Sequence, residues 1–214
     1  MPTVLLTGFE PFDNDAINPS WEVVQQLHGE TIAKAHVVAT RLPCVFGKSL
    51  RELERALEMH RPSIVIAVGQ AGGRAAITPE RVAINLDDAR IADNAGKQPT
   101  DRPIHRQGPA AYFSTLPVKA IVQALQHEGL PACLSHSAGT FVCNHVFYGL
   151  MAMQQSHGVQ RCGFIHIPFL PSQAAQRADT PSMAQDDMVR ALRIAVEVSV
   201  RRRRDLRLPG GTTQ

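Results

Sequence analysis

The sequence predicts an α/β protein, a three-layer α/β/α sandwich with helices on both faces of a mostly parallel mixed sheet. Three observations carry this. Short, nearly continuous apolar runs recur along the 214 residues, and that is how strands buried on both faces read. Segments with apolar residues at helical spacing lie between them, and such alternation builds layered α/β folds. The composition, 44% hydrophobic against 19% charged, supports a sizeable core and excludes a disordered chain. With only 5% aromatic residues, that core has to be mainly aliphatic.

In chain order, strands are predicted at residues 4–7, 37–42, 64–68, 82–86, 132–135 and 164–167. Asn18-Pro19 reads as an N-cap with proline at the first helical position, opening a helix to about Leu27. Phe46, Leu50, Leu53 and Leu57 mark a second helix. Pro117 opens a third, with Val118, Ile121, Val122 and Leu125 on one face and an end near Gly129. A fourth starts at about Phe141 behind a capping Thr140. It carries Val146, Phe147, Leu150 and Met151 and ends by Gly158. Thr180-Pro181 caps a fifth, with Met188, Ala191, Leu192 and Ala195 leading into an arginine run. Residues 87–114, rich in Asp, Arg, Pro, Gly and Gln, form one long irregular insert, the kind of loop that carries function. Residues 1–204 are expected to be a single domain and 205–214 a disordered tail.

Charge and cysteine usage exclude several classes. The net charge is +3, but five arginines and one aspartate beyond residue 200 contribute +4, which leaves the body at −1. A nucleic-acid footprint on the body is therefore not indicated. Cys44, Cys133, Cys143 and Cys162 form no C-x-x-C pair, so neither a zinc ribbon nor a disulfide scaffold is suggested. Nine histidines include no H-E-x-x-H, and Cys143-x-His145 has no evident third and fourth ligand, so no metal site is expected. No apolar stretch approaches a membrane span, and no signal-peptide pattern precedes the first strand. These features point to a cytoplasmic chain with reduced thiols.

Cys143 is the most informative residue. It falls in the first turn of the fourth helix, where unpaired N–H groups and the helix dipole favour an anion. A thiol so placed is expected to have a lowered pKa and to be nucleophilic, with an oxyanion site in the same N–H groups. The alternative is a buried structural cysteine. His166 closes an apolar strand, and is either a core histidine bonded to a carbonyl or a base facing a thiolate. His145 shares a helix with Cys143 but points to another face, whereas position alone does not dismiss His136. Glu80 either orients an imidazole or pairs with Arg81 or another arginine. Gly69-Gln70-Ala71-Gly72-Gly73 follows a strand at the edge where open α/β sheets bind ligands, and Phe9 and Phe12 follow the first strand at that same edge.

These residues together resemble a known family. Thr7-Gly8-Phe9-Glu10-Pro11-Phe12 with Asn18-Pro19-Ser20 is similar to the opening of the pyrrolidone-carboxylate peptidases, also called pyroglutamyl peptidase I. Gly69 to Arg74, Pro79 to Asn85 and Asp87 to Ile91 resemble its glutamate signature. Ser137 to Asn144 resembles its cysteine signature, and His166 to Pro171 its histidine segment. The blocks occur in order over most of the chain.

The resemblance implies a phosphorylase/hydrolase-like sandwich, no cofactor, pyroglutamyl peptides as substrates, and a homo-oligomer, often a tetramer. By match, Cys143 falls on the nucleophile, His166 on the base and Glu80 on the acid. Phe9, Phe12 and Phe141 fall on an apolar pocket for the lactam ring. Gln70 and Asn18 fall on positions supporting substrate or loop geometry, and Arg90 on one near the oxyanion. Ala92 stands where the family often has proline, and the arginine run from Arg201 has no counterpart. A nucleoside phosphorylase on a similar sandwich would leave Cys143 without a role, and a non-catalytic binder would leave all three triad residue types without one.

Overall fold

A computed structural model describes residues 1–211. In chain order the strands are β1 (Thr3–Phe9), β2 (Thr31–Ile32), β3 (Ala35–Leu42), β4 (Ile64–Gln70), β5 (Thr78–Pro79), β6 (Val82–Ile84), β7 (Ala111–Phe113) and β8 (Arg161–Ile167). The helices are α1 (Pro19–Val24, extended by a 3-10 turn to Leu27), α2 (Lys48–His60), α3 (Val118–His127), α4 (Val142–Met153), α5 (Pro171–Ala174) and α6 (Gln185–Arg201).

Six strands form one sheet in the order β2-β3-β1-β4-β8-β5. The four central strands are parallel, and only the two-residue edges β2 and β5 run antiparallel. This is the mixed, mostly parallel sheet the sequence predicts. Side chains alternate across it with period two. Val4, Leu6, Ile64, Ile66, Val68, Ile165 and Ile167 enter one core with α1, α3 and α6. Leu5, Phe9, Val65, Ala67, Cys162 and Phe164 enter the other with α2 and α4. The three layers follow from this division.

Local prediction misplaces the short pieces. The strand expected at 82–86 belongs instead to a separate two-stranded sheet, β6 with β7, and β7 lies inside the insert read as irregular. Residues 132–135 make only isolated bridges, Ile77 with Ala132 and Glu80 with Ser135. The last helix starts at Gln185 rather than at Thr180-Pro181, because Ser182 and Met183 are drawn into pairing with Phe169. The tail is also not free from residue 205. The α3 N-cap is Pro117, which has no capping side chain, and the Asp205 carboxylate accepts the N–H groups of Lys119 and Ala120 at 3.0 Å each. A carboxylate there satisfies orphan donors and meets the positive end of the helix dipole. Residues 212–214 of the expected tail lie outside the described residues.

Two buried thiols yield a prediction. Burial pushes Cys162 up to about 12, with Thr115 pulling slightly the other way. Burial, then the nearby Cys143, Glu10 and Asp93, raises Cys44 as well. Both folded-state values lie above the unfolded value of about 8.5. Their contribution to stability is therefore complete below that pH and is lost as pH rises, at about 1.4 kcal/mol per pH unit for each thiol. Urea midpoints should fall between roughly pH 9 and 11, and Cys162→Ala should flatten the fall. An unchanged slope in that variant would contradict the assignment.

Candidate active site

The carboxyl ends of β1, β4 and β8 meet where the chain, having placed β3 on one side of β1, places β4 on the other. Such switch points leave a crevice for ligands. A cavity of about 590 Å³ opens there, lined among others by Phe9, Phe12, Gln70, Phe141, Cys143 and His166.

The sheet register brings the chemistry together. His166 alternates with Ile165 and Ile167, so its ring faces the α2/α4 side with Phe164. It is directly paired with Gly69 of β4, one strand spacing away. Over Gly69 sits the Cys143 sulfur: a Cβ added there would come within 2.9 Å of Sγ and 2.7 Å of the Phe164 ring. The absent side chain at residue 69 is the space the thiol occupies beside His166.

Cys143 is in the first turn of α4, as predicted, although the N-cap is Phe141 and makes no side-chain cap bond. Thr140 instead donates its hydroxyl to the Asp88 carbonyl at 2.6 Å, tying the cysteine loop to the insert. The first hydrogen bond of the helix runs from the His145 N–H to the Phe141 carbonyl. The N–H groups of Val142 and Cys143 precede it. The thiol pKa departs from the lowered value expected. Burial, reinforced by the negative charge of Glu80, pushes it up to about 12, and only Arg74 pulls it down. Both influences favour the thiol over the thiolate.

Glu80 has no exposed surface and His166 is almost buried. The His166 Nδ1 lies 2.7 Å from Glu80 Oε1, so Nε2 is the ring nitrogen left for the cavity. Glu80 is both things the sequence left open, since Arg74 Nη1 reaches the same oxygen at 2.7 Å. Arg81 is not the partner; its guanidinium lies over Phe113, 6.0 Å from the ring centre. Burial pushes the Glu80 carboxyl up, but the bond and charge of His166, with Ser135 and Arg74, outweigh this and hold it low. Arg74 also donates to Thr78 Oγ1 at 2.7 Å and to the Ser137 carbonyl at 3.0 Å. It belongs to the site, and sequence reasoning missed it. Its only signal was its place at the end of the glycine-rich turn.

The two histidines nearest Cys143 in sequence lie elsewhere. His136 is exposed and lines a groove on the outer side of Arg74. His145 accepts the Gly47 N–H on Nε2 at 2.9 Å and meets Asp87 through Nδ1 at 2.9 Å. Both nitrogens are engaged, which makes it a structural clamp.

Around the cavity, the rings of Phe12 and Phe141 lie 5.1 Å apart and that of Phe46 is edge-on to Phe141. Phe9 is buried below, against Phe164. Asn18 lines the cavity, but its amide is engaged: Oδ1 accepts from Ser20 as the α1 cap, and Nδ2 donates to the Glu10 carbonyl. Gln70 Oε1 accepts from buried Gln173 at 3.0 Å, which leaves its NH₂ unengaged. Arg90 lies exposed on the rim. Among the described residues, no group of three or more metal-ligating side chains converges.

A buried carboxylate–imidazole pair beside a cysteine at a helix start, on a parallel α/β sheet, defines a cysteine hydrolase. The particular family comes from comparison with known proteins. The sequence model of the pyroglutamyl peptidases matches residues 2–202. A pyrrolidone-carboxylate peptidase of Ralstonia nicotianae is 61% identical over 99% of both chains, and one of Chromobacterium violaceum 59% identical over the same shares. The crystal structure of Bacillus amyloliquefaciens pyroglutamyl peptidase I superimposes with a TM-score of 0.93 at 50% identity, covering 96% of this chain and 100% of that one. A variant of Pyrococcus furiosus pyrrolidone carboxyl peptidase gives 0.90 at 43% identity, covering 93% and 98%. The chain belongs to the pyroglutamyl peptidase family of cysteine peptidases.

Gly69 makes the site's packing testable. Gly69→Ala has to displace the Phe164 ring and the Cys143 sulfur together, so it should destabilise the fold by about 1–3 kcal/mol and change the rate at which iodoacetamide alkylates Cys143. Wild-type values for both would show that the thiol does not sit where this packing requires.

Proposed function

We propose that the chain hydrolyses the amide bond that follows an N-terminal pyroglutamyl residue of a peptide, with Cys143 as nucleophile, His166 as general base and acid, and Glu80 orienting the imidazole. The observation that carries this reading is the shared cavity of Cys143 and His166 with Glu80 on the far ring nitrogen, in a chain of this family.

Because the resting thiol is protonated, His166 Nε2 takes its proton as Sγ attacks the scissile carbonyl. The charge that develops on the carbonyl oxygen is met by the N–H groups at the start of α4, with Arg90 at the rim. The imidazolium, supported by Glu80, gives its proton to the leaving amine, and a thioester remains. Water then attacks the thioester with His166 as base, releasing pyroglutamate and restoring the thiol.

Phe9, Phe12 and Phe141 wall the ring of the substrate, and the free NH₂ of Gln70 is a donor for the lactam carbonyl. Asp15 also lines this cavity, but Arg177 at 2.7 Å and Gln173 occupy its oxygens. It therefore offers no free partner for a charged prolyl amine, whose desolvation is costly. The rest of the reading is a cofactor-free enzyme in the cytoplasm, which four unpaired cysteines support, and a tetramer, the state the family resemblance implies.

A chromogenic pyroglutamyl amide tests the reading. Wild type should cleave it, and kcat/KM for the matching prolyl amide should be lower by roughly 10⁴-fold or more. Comparable values would mean the cavity does not read the lactam. Cys143→Ser should fold and be nearly inactive. His166→Ala should lose roughly 10²–10⁴-fold and more than Glu80→Gln, whose amide can still hold the ring. Greater damage from His136→Ala would overturn the choice of base.

A further inference from the structure

Among the described residues, Arg74 is the one arginine or lysine in contact with the buried carboxylate of the site, and its three hydrogen bonds reach two segments, residues 78–80 and the cysteine loop. Nη1 meets Glu80 Oε1 and Thr78 Oγ1, and Nη2 meets the Ser137 carbonyl. The arginine thereby joins the glycine-rich turn after β4 to the cysteine loop. The side chain keeps about a third of its surface exposed, while Glu80 keeps none.

We propose that Arg74 is a positioning residue whose charge cancels that of Glu80 at the thiol, so that proton transfer from Cys143 to His166 takes place in a set of groups with no net charge. This rests on the reading of Cys143 and His166 as nucleophile and base. Before transfer the set is Glu80 negative, Arg74 positive, and thiol and imidazole neutral. After transfer it is Glu80 and the thiolate negative, Arg74 and the imidazolium positive. Without Arg74 both states carry an uncompensated negative charge on Glu80, which has no exposed surface, and a charge so buried is expensive. Glu80 alone works against the nucleophile: its charge holds the thiol proton on, and Arg74 is the group that opposes it. The remaining charged neighbours do not substitute. Arg90 and Asp13 lie on the exposed rim, Asp15 and Arg177 neutralise each other, Cys44 is itself buried and neutral, and His136 faces the outer groove.

Alkylation of Cys143 by iodoacetamide reads the thiolate directly and needs no substrate. In a Cys133→Ser background, which removes the exposed thiol, Arg74→Gln should slow alkylation at neutral pH by roughly tenfold or more, the effect of losing an opposite charge at close range. Arg74→Lys keeps the charge but loses the fork, and should stay within about threefold of wild type. In Arg74→Ala, millimolar guanidinium should restore the rate and urea, its neutral counterpart, should not. Equal losses in the Lys and Gln variants, or none in Gln, would reduce Arg74 to a mechanical clasp and overturn the proposal. Should Arg74→Gln fail to fold, a folded Arg74→Lys slowed tenfold overturns it equally. Turnover of the pyroglutamyl amide by wild type is scored separately. Its absence would sink the peptidase reading, whereas the alkylation rates would still decide the role of Arg74.

Discussion

Glu80 is a carboxylate with no exposed surface, and burying such a charge costs several kcal/mol unless partners satisfy it. Much of the surrounding architecture supplies those partners. The imidazole comes from the carboxyl end of β8 and the guanidinium from the turn after β4, and both converge on one oxygen. The backbone around Glu80 is held from two sides: its N–H donates to the Phe164 carbonyl, and the Arg81 N–H donates to that of Ser135. The edge of the main sheet thus ends at the carboxylate that meets the His166 ring. The short antiparallel β5 is there to deliver it.

The segment after the thiol is committed to keeping the start of α4 in place. Asn144 commits its whole side chain to the end of β6 and the residues after it, accepting from the Ile84 N–H and donating to the Ile84 and Leu86 carbonyls. His145 clamps Asp87 and the N-cap of α2. Thr140 and Asp88 exchange two hydrogen bonds. The insert at 87–114 is therefore a brace between α4 and the cavity rim rather than a loose loop. Asp93 adds to this by accepting the N–H groups of Phe46, Ala95 and Lys97. A reacting thiol must be held to a fraction of an ångström, and two consecutive helix residues, Asn144 and His145, engaged in bracing are consistent with that demand.

A helix start ordinarily favours a thiolate, yet here desolvation and the Glu80 charge push the thiol pKa up. His166 lines the same cavity, and its strand pairs with the one that carries Gly69 under the sulfur.

Local pattern made the central elements legible. β1, β3, β4 and β8 are long enough for their apolar character to show, and α2, α3 and α4 carry helical spacing that tertiary contacts only had to accept. The place of Cys143 in a first turn was equally readable, since it depends on a few neighbouring residues. Edges two or three residues long, such as β2, β5 and β7, carry no period; β2 forms only as a tight hairpin with β3, and pairing partners distant in sequence created β5 and β7. That His166 rather than His136 lines the cavity with Cys143, that Glu80 pairs with Arg74 rather than with adjacent Arg81, and that burial raises the thiol pKa are likewise legible only in the tertiary structure. Each depends on which face a residue presents and how much water it loses. The chain by itself determined which groups were available for chemistry; the register of β4 against β8 decided which of them meet, because it sets Gly69 opposite His166 and leaves the sulfur its space.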